Sequence, residues 1–180
     1  MQADRIKVWD PLVRVFHWTV VVCVAAAWLS ADDFRSIHEW LGYTVAALVV
    51  LRVVWGCVGS RHARFSQFVR GAASVATYGR SVVKGTAPRY LGHNPLGGWM
   101  VLALMATLLS LGLTGWMMTL DTFFGDEWLE TLHELLADGL LLLIVVHVSG
   151  VLVTGWMHGE NLVRAMLTGE KRRPDVGDVD

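Results

Sequence analysis

Seven histidines occur in this 180-residue chain, and four of them, His17, His38, His133 and His147, fall within or beside long apolar runs. Histidine in such a run is costly and normally has a partner or a task. One alone is equally well explained by a hydrogen bond between helices; four in so short a chain favour a shared use. Their spacing sorts them by depth. His133 and His147 are fourteen residues apart, about 21 Å along a helix rising ~1.5 Å per residue. In a hydrocarbon core ~30 Å thick, that puts them at two levels. His38 shares the outer level with His133, and His17 shares the inner level with His147.

Two imidazoles on different helices at one depth can ligate a haem iron from both faces, and facing helices of a four-helix bundle are a natural host for such a site. The competing chemistry is a path for zinc or another bare ion, where carboxylates or thiolates join histidine at a single depth. Glu39, Glu134 and Asp138 lie near the outer pair, but none accompanies the inner one, so haem fits better. Small residues beside a porphyrin permit close approach, and Gly42, Gly112, Gly115, Gly139 and Gly150 are candidates, although membrane helix packing favours glycine too. Cys23 and Cys57 sit in apolar runs and read as small buried residues. No C-x-x-C-H or C-x-x-C occurs, which argues against covalently attached haem, iron–sulfur or a zinc ribbon.

The elements that must position these histidines are membrane spans. Hydrophobic residues make up 54% of the chain and charged ones 17%, an excess that implies a second apolar surface facing lipid. Nine tryptophans suit membrane interfaces. Four stretches reach the roughly 20 apolar residues a crossing needs: 13–31, 38–58, 96–120 and 132–157. Backbone in lipid must satisfy its own hydrogen bonds, so all four are expected to be helices. The first resembles a signal peptide in its basic start and its alanines, but it is as long as a span and carries His17, so an uncleaved span is expected.

Charge gives the orientation. Of 15 Lys and Arg, all but Arg35 fall in the N-terminal segment, at the end of span two, in the connection to span three or in the tail. The opposite loops hold Asp32, Asp33, Asp121, Asp126, Glu127 and Glu130. The positive-inside rule then predicts both termini on the cytoplasmic side of the membrane. Residues Phe65 to Val82 show helical spacing of apolar positions, predicting an amphipathic surface helix, and Glu160 to Thr168 predicts a second, stopped by Gly169. The expected class is all-α: a four-helix membrane bundle with haem between the helices, over residues 1–170, plus short cytoplasmic surface helices. Residues 171–180 are expected to form a tail, basic and then disordered from Pro174.

Several motifs together resemble the bacterial cytochrome b561 and nickel–iron hydrogenase cytochrome b family. Val8 to Pro11 with Arg14 to Trp18 (RVFHW) is similar to its opening, Ile37 to Tyr43 (IHEWLGY) to its second ligand segment, and Leu132 to Gly139 (LHELLADG) with Val145 to Gly150 (VVHVSG) to its span-four pair. Gly92 to Gly98 (GHNPLGG) and Gly159 to Gly169 (GENLVRAMLTG) resemble one branch of it. The resemblance implies two haems b, with His17 matched to His147 and His38 to His133, and electron exchange with membrane quinone, c-type cytochromes or attached dehydrogenase subunits. The expected function is an electron relay in the respiratory chain between a quinone pool and a periplasmic partner such as a c-type cytochrome; the alternative is a membrane anchor subunit of a hydrogenase or other dehydrogenase. A haem-free metal transporter or structural bundle is the third class. Two occupied axial positions favour electron transfer over oxygen activation. Arg14, Arg35 and Arg52 are candidates to pair with haem propionates, against a plain topological role. His93, Asn94 and Trp99 could line a quinone pocket or simply cap span three. The acidic loops could steer a basic cytochrome; nucleic acid is not an expected partner.

Overall fold

The computed structural model describes residues 5–180. Seven helices and two short strands make up the described chain: β1 (Arg5–Lys7), α1 (Pro11–Ser30), α2 (Arg35–Val58), α3 (Phe65–Phe68), α4 (Ala72–Val83), α5 (Pro95–Met117), α6 (Glu127–His158), α7 (Leu162–Thr168) and β2 (Glu170–Arg172). The expected all-α membrane class is thus observed, with α1, α2, α5 and α6 each long and apolar enough to cross a bilayer. Few residues in these helices are buried by protein, 6% of the most apolar stretch in α1 and in α6. Leu29, Val22, Leu51, Leu135, Leu142 and Val145 are all exposed. Such surfaces are stable against lipid tails but not against water. Trp28, Trp40, Trp116 and Trp128 are exposed near helix ends, as interfacial anchors are.

Local signals explain the helix ends. Asp10 caps α1 by accepting the Val13 amide at 2.8 Å, with Pro11 at the first helical position. Asn94 does the same for α5, accepting from Gly97 at 2.7 Å, again before a proline. The fourth span starts five residues earlier than hydropathy predicts, because Glu127 and Glu130 favour the N-terminal turn of α6 through the helix dipole. The third stops at Met117, three residues short of the expected end.

The chain forms two compact units. One comprises 15–53 and 103–145, the middle and acidic-loop parts of the four long helices. Its interior holds Val45, Val49, Met105, Leu108, Leu129 and Leu140. Here α2 and α5 approach closely: a Cβ at Gly112 would lie 2.9 Å from the Cβ of Ala46.

The other unit comprises 1–14, 54–102 and 146–180. β1 and β2 pair antiparallel, Ile6 opposite Lys171, over Val8, Trp9 and Ala165. The single amphipathic helix expected from Phe65 to Val82 is instead α3 and α4, broken at 69–71, where Gly71 is extended and flanks α4. The second expected surface helix is α7, capped by Asn161 and closed by Gly169 at φ +83; that left-handed conformation suits glycine. Sequence composition predicts disorder after Pro174, but here the tail runs back along the body. Val179 exchanges backbone hydrogen bonds with Arg89 and Leu91, and Asp180 pairs with Arg61 at 2.8 Å.

Candidate functional site

The first unit brings His38 and His133 together. His38 sits in the first turn of α2 and His133 near the start of α6, and their ring centres are 6.1 Å apart with planes inclined at 68°. A metal held between them by a bond of ~2.0 Å to one nitrogen of each ring would set the ring centres ~6.3 Å apart.

Hydrogen bonds decide which nitrogen of each ring is available. His38 Nδ1 lies 2.8 Å from the carbonyl oxygen of Ala27 in α1. A carbonyl only accepts, so Nδ1 carries the proton and Nε2 the lone pair. His133 Nδ1 lies 2.8 Å from Thr114 Oγ1 in α5. The threonine hydroxyl has its own acceptors, Ser110 O at 3.0 Å and Leu111 O at 3.2 Å. With its one proton directed to an α5 carbonyl, the hydroxyl accepts from His133 Nδ1–H, and Nε2 of that ring keeps its lone pair. Each ring is thus oriented through Nδ1, which leaves Nε2 as the nitrogen available to a metal. Metal-binding histidines are held in this way.

The surroundings leave room for a flat group. Gly42 follows His38 by one turn, on the same face, and a Cβ there would meet nothing within 4 Å. The same holds at Gly139, on α6 with His133; Gly150 belongs to the other unit. At Gly115 an added Cβ would lie in ordinary contact with His133 Cε1, at 3.4 Å, so α5 runs directly beside the ring. Two oriented imidazoles fit a macrocycle that brings four nitrogens of its own. Among the described residues, no group of three or more His, Cys, Asp or Glu stands ready for a bare ion.

His17, on α1, packs edge-on against Trp18 with centres 5.1 Å apart. His147 lies on α6, half-buried, in the other unit. Arg52 is 3% exposed within apolar α2. Arg35 pairs with Glu39 at 2.9 Å and lies over the Phe124 ring. Arg14 donates through Nη2 to the Leu167 carbonyl. The GHNP segment is packed: His93 stacks at 4.7 Å on Trp9 and 4.6 Å on Phe68, while Trp99 donates to Arg70 O at 2.8 Å.

Sequence reasoning missed Thr114, whose only signal is a polar residue beside two glycines deep in an apolar run. It also missed a charged knot in the second unit. Arg89 grips Glu160 with two nitrogens, at 2.9 and 3.3 Å, and donates to Asp178. Lys171, 5% exposed, donates to Tyr90 O at 3.2 Å. Burial alone would raise the Glu160 carboxyl, but the Arg89 hydrogen bond and the Lys171 charge hold it below its ordinary value. Asp178 is held low in the same way, its slight burial outweighed by the Asp175 amide and by Arg89. Burial lowers Lys171, with Glu160 opposing.

The family model for prokaryotic cytochrome b561 matches residues 8–169. A protein of Rhizobium leguminosarum bv. viciae described as a probable Ni/Fe-hydrogenase B-type cytochrome subunit is 23% identical over 225 aligned positions, covering 99% of this chain and 93% of that relative. Four apolar helices of spanning length and a family match across most of the sequence lead to one assignment: this multi-pass membrane protein is a b-type cytochrome and belongs to the prokaryotic cytochrome b561 family.

Proposed function

We propose that the chain relays electrons through two bis-histidine haems b between a membrane quinone pool and a periplasmic partner such as a c-type cytochrome. The observation that carries this reading is the His38–His133 pair, 6.1 Å between ring centres, with both Nδ1 atoms engaged elsewhere and both Nε2 atoms left to donate. His17 and His147 are the ligands of the second, inner haem. Haem supplies reversible one-electron chemistry when bound. The chain's own residues would fix its depth, and two histidines per haem would leave no coordination position open to an outside ligand. Arg52 lies fourteen residues beyond His38, about 21 Å along the helix, and is assigned to a propionate at the inner level. Both termini lie in the cytoplasm of a bacterial inner membrane, which puts the acidic loops and the outer haem at the periplasmic face.

A reduced-minus-oxidised spectrum with a haem-to-protein ratio tests the reading. Two haems per chain are expected, and His147→Ala should lose the inner one while keeping the outer. A ratio of one, or retention of both haems in that variant, would refute the pairing. The hydrogenase relative favours a second reading, a membrane anchor that takes electrons from a bound dehydrogenase. Stable co-purification with a large metalloprotein would select it.

A further inference from the structure

We propose that Thr114 sets the reduction potential of the outer haem by accepting the Nδ1–H of His133. The proposal rests on the reading of His38 and His133 as its ligands. Thr114 is 5% exposed, so water does not compete for its oxygen. Its single hydroxyl proton is drawn back to the α5 carbonyls of Ser110 and Leu111, at 3.0 and 3.2 Å. That turns a lone pair toward His133 Nδ1 at 2.8 Å. With the hydroxyl proton on an α5 carbonyl, the ring's Nδ1–H is the donor in this contact.

An acceptor on Nδ1–H makes the imidazole a stronger electron donor through Nε2 and stabilises the oxidised metal. The two axial ligands are unequal in this respect. His38 is held by the Ala27 carbonyl, a backbone group that no side-chain substitution removes. His133 is held by a hydroxyl, which substitution can remove. Thr114 is therefore a positioning residue through which the potential can be tuned without touching a ligand.

The test compares Thr114→Val, nearly isosteric but lacking the hydroxyl, with Thr114→Ser, which retains it. Haem-loaded protein is titrated potentiometrically, and electron paramagnetic resonance of the oxidised form is recorded. The outer haem is identified as the one lost in His133→Ala. The valine variant should show a more positive outer potential and altered g values, with the inner haem unchanged. Serine should restore both. If valine releases the outer haem while serine retains it at the native potential, the hydroxyl requirement also stands. An unchanged outer potential in valine, or equal loss of haem in both variants, overturns the proposal and leaves the ligand assignment intact. Retention of both haems in His133→Ala would instead overturn the ligand assignment itself.

Discussion

Replacing Gly112 by alanine tests how tightly the outer site is framed. The added Cβ would lie 2.9 Å from the Cβ of Ala46, roughly 0.5–1 Å inside ordinary carbon–carbon contact of ~3.5–4.0 Å. Neither atom is the end of a flexible side chain, and Val45, Val49 and Leu108 around them are buried. Relief therefore requires α2 and α5 to separate. Overpacking of this kind costs about 1–3 kcal/mol, offset by ~1 kcal/mol of helix propensity gained on losing glycine, for a net loss of about 0–2 kcal/mol. Ala46→Gly alone should cost about 1 kcal/mol from the same propensity term. The double variant merely exchanges the two residues across the contact and should return close to the native stability. The cycle thus predicts a coupling of about 2 kcal/mol, well above the ~0.5 kcal/mol expected of independent sites. Reversible unfolding in detergent, followed by circular dichroism, measures it. The displacement also carries Thr114, two residues further along α5, away from His133, so the outer haem spectrum of the single variant should change with the stability and recover with it. Additive effects would show that the helices are not in contact at this point.

Two further outcomes follow from particular residues. Gly42→Leu fills space within one turn of His38 that no protein atom approaches within 4 Å; the outer haem should be lost with little change in apoprotein helicity, and a native spectrum would mean that the porphyrin lies elsewhere. Glu160 and Asp178 are both held below their ordinary values, so their contribution to holding the tail is complete above the ordinary carboxylate range near pH ~4. It is lost as pH falls through their lowered folded-state values, and hydrogen exchange or proteolysis at 170–180 should rise below about pH 4 but stay flat from 5 to 8, any rise in that neutral window refuting the carboxylate account.

The membrane spans were legible because length and hydropathy act within a single segment. His38, His133 and their common level could be read in advance, since helical rise converts sequence separation into depth. The partners of those rings could not. The Ala27 carbonyl is backbone, identical in every residue, and only the meeting of α1 with α2 makes it an acceptor. Thr114 is a side chain, but threonine in an apolar helix usually bonds back to its own turn, as Thr107 does to Ala103 at 3.0 Å. The two differ only in what stands opposite. The tail shows the same limit: composition describes Asp175 to Asp180 as solvated, and it takes Arg89, more than eighty residues earlier, to give Asp178 a partner. What holds these two imidazoles in place is consequently distributed over four helices, with the rings on α2 and α6 and their hydrogen-bond partners on α1 and α5. A carbonyl on one side and a hydroxyl on the other make the pair chemically asymmetric even though the two ligands are the same residue. Under the proposed ligand assignment, that asymmetry would let the iron's potential be adjusted through Thr114 while both histidines stay in place.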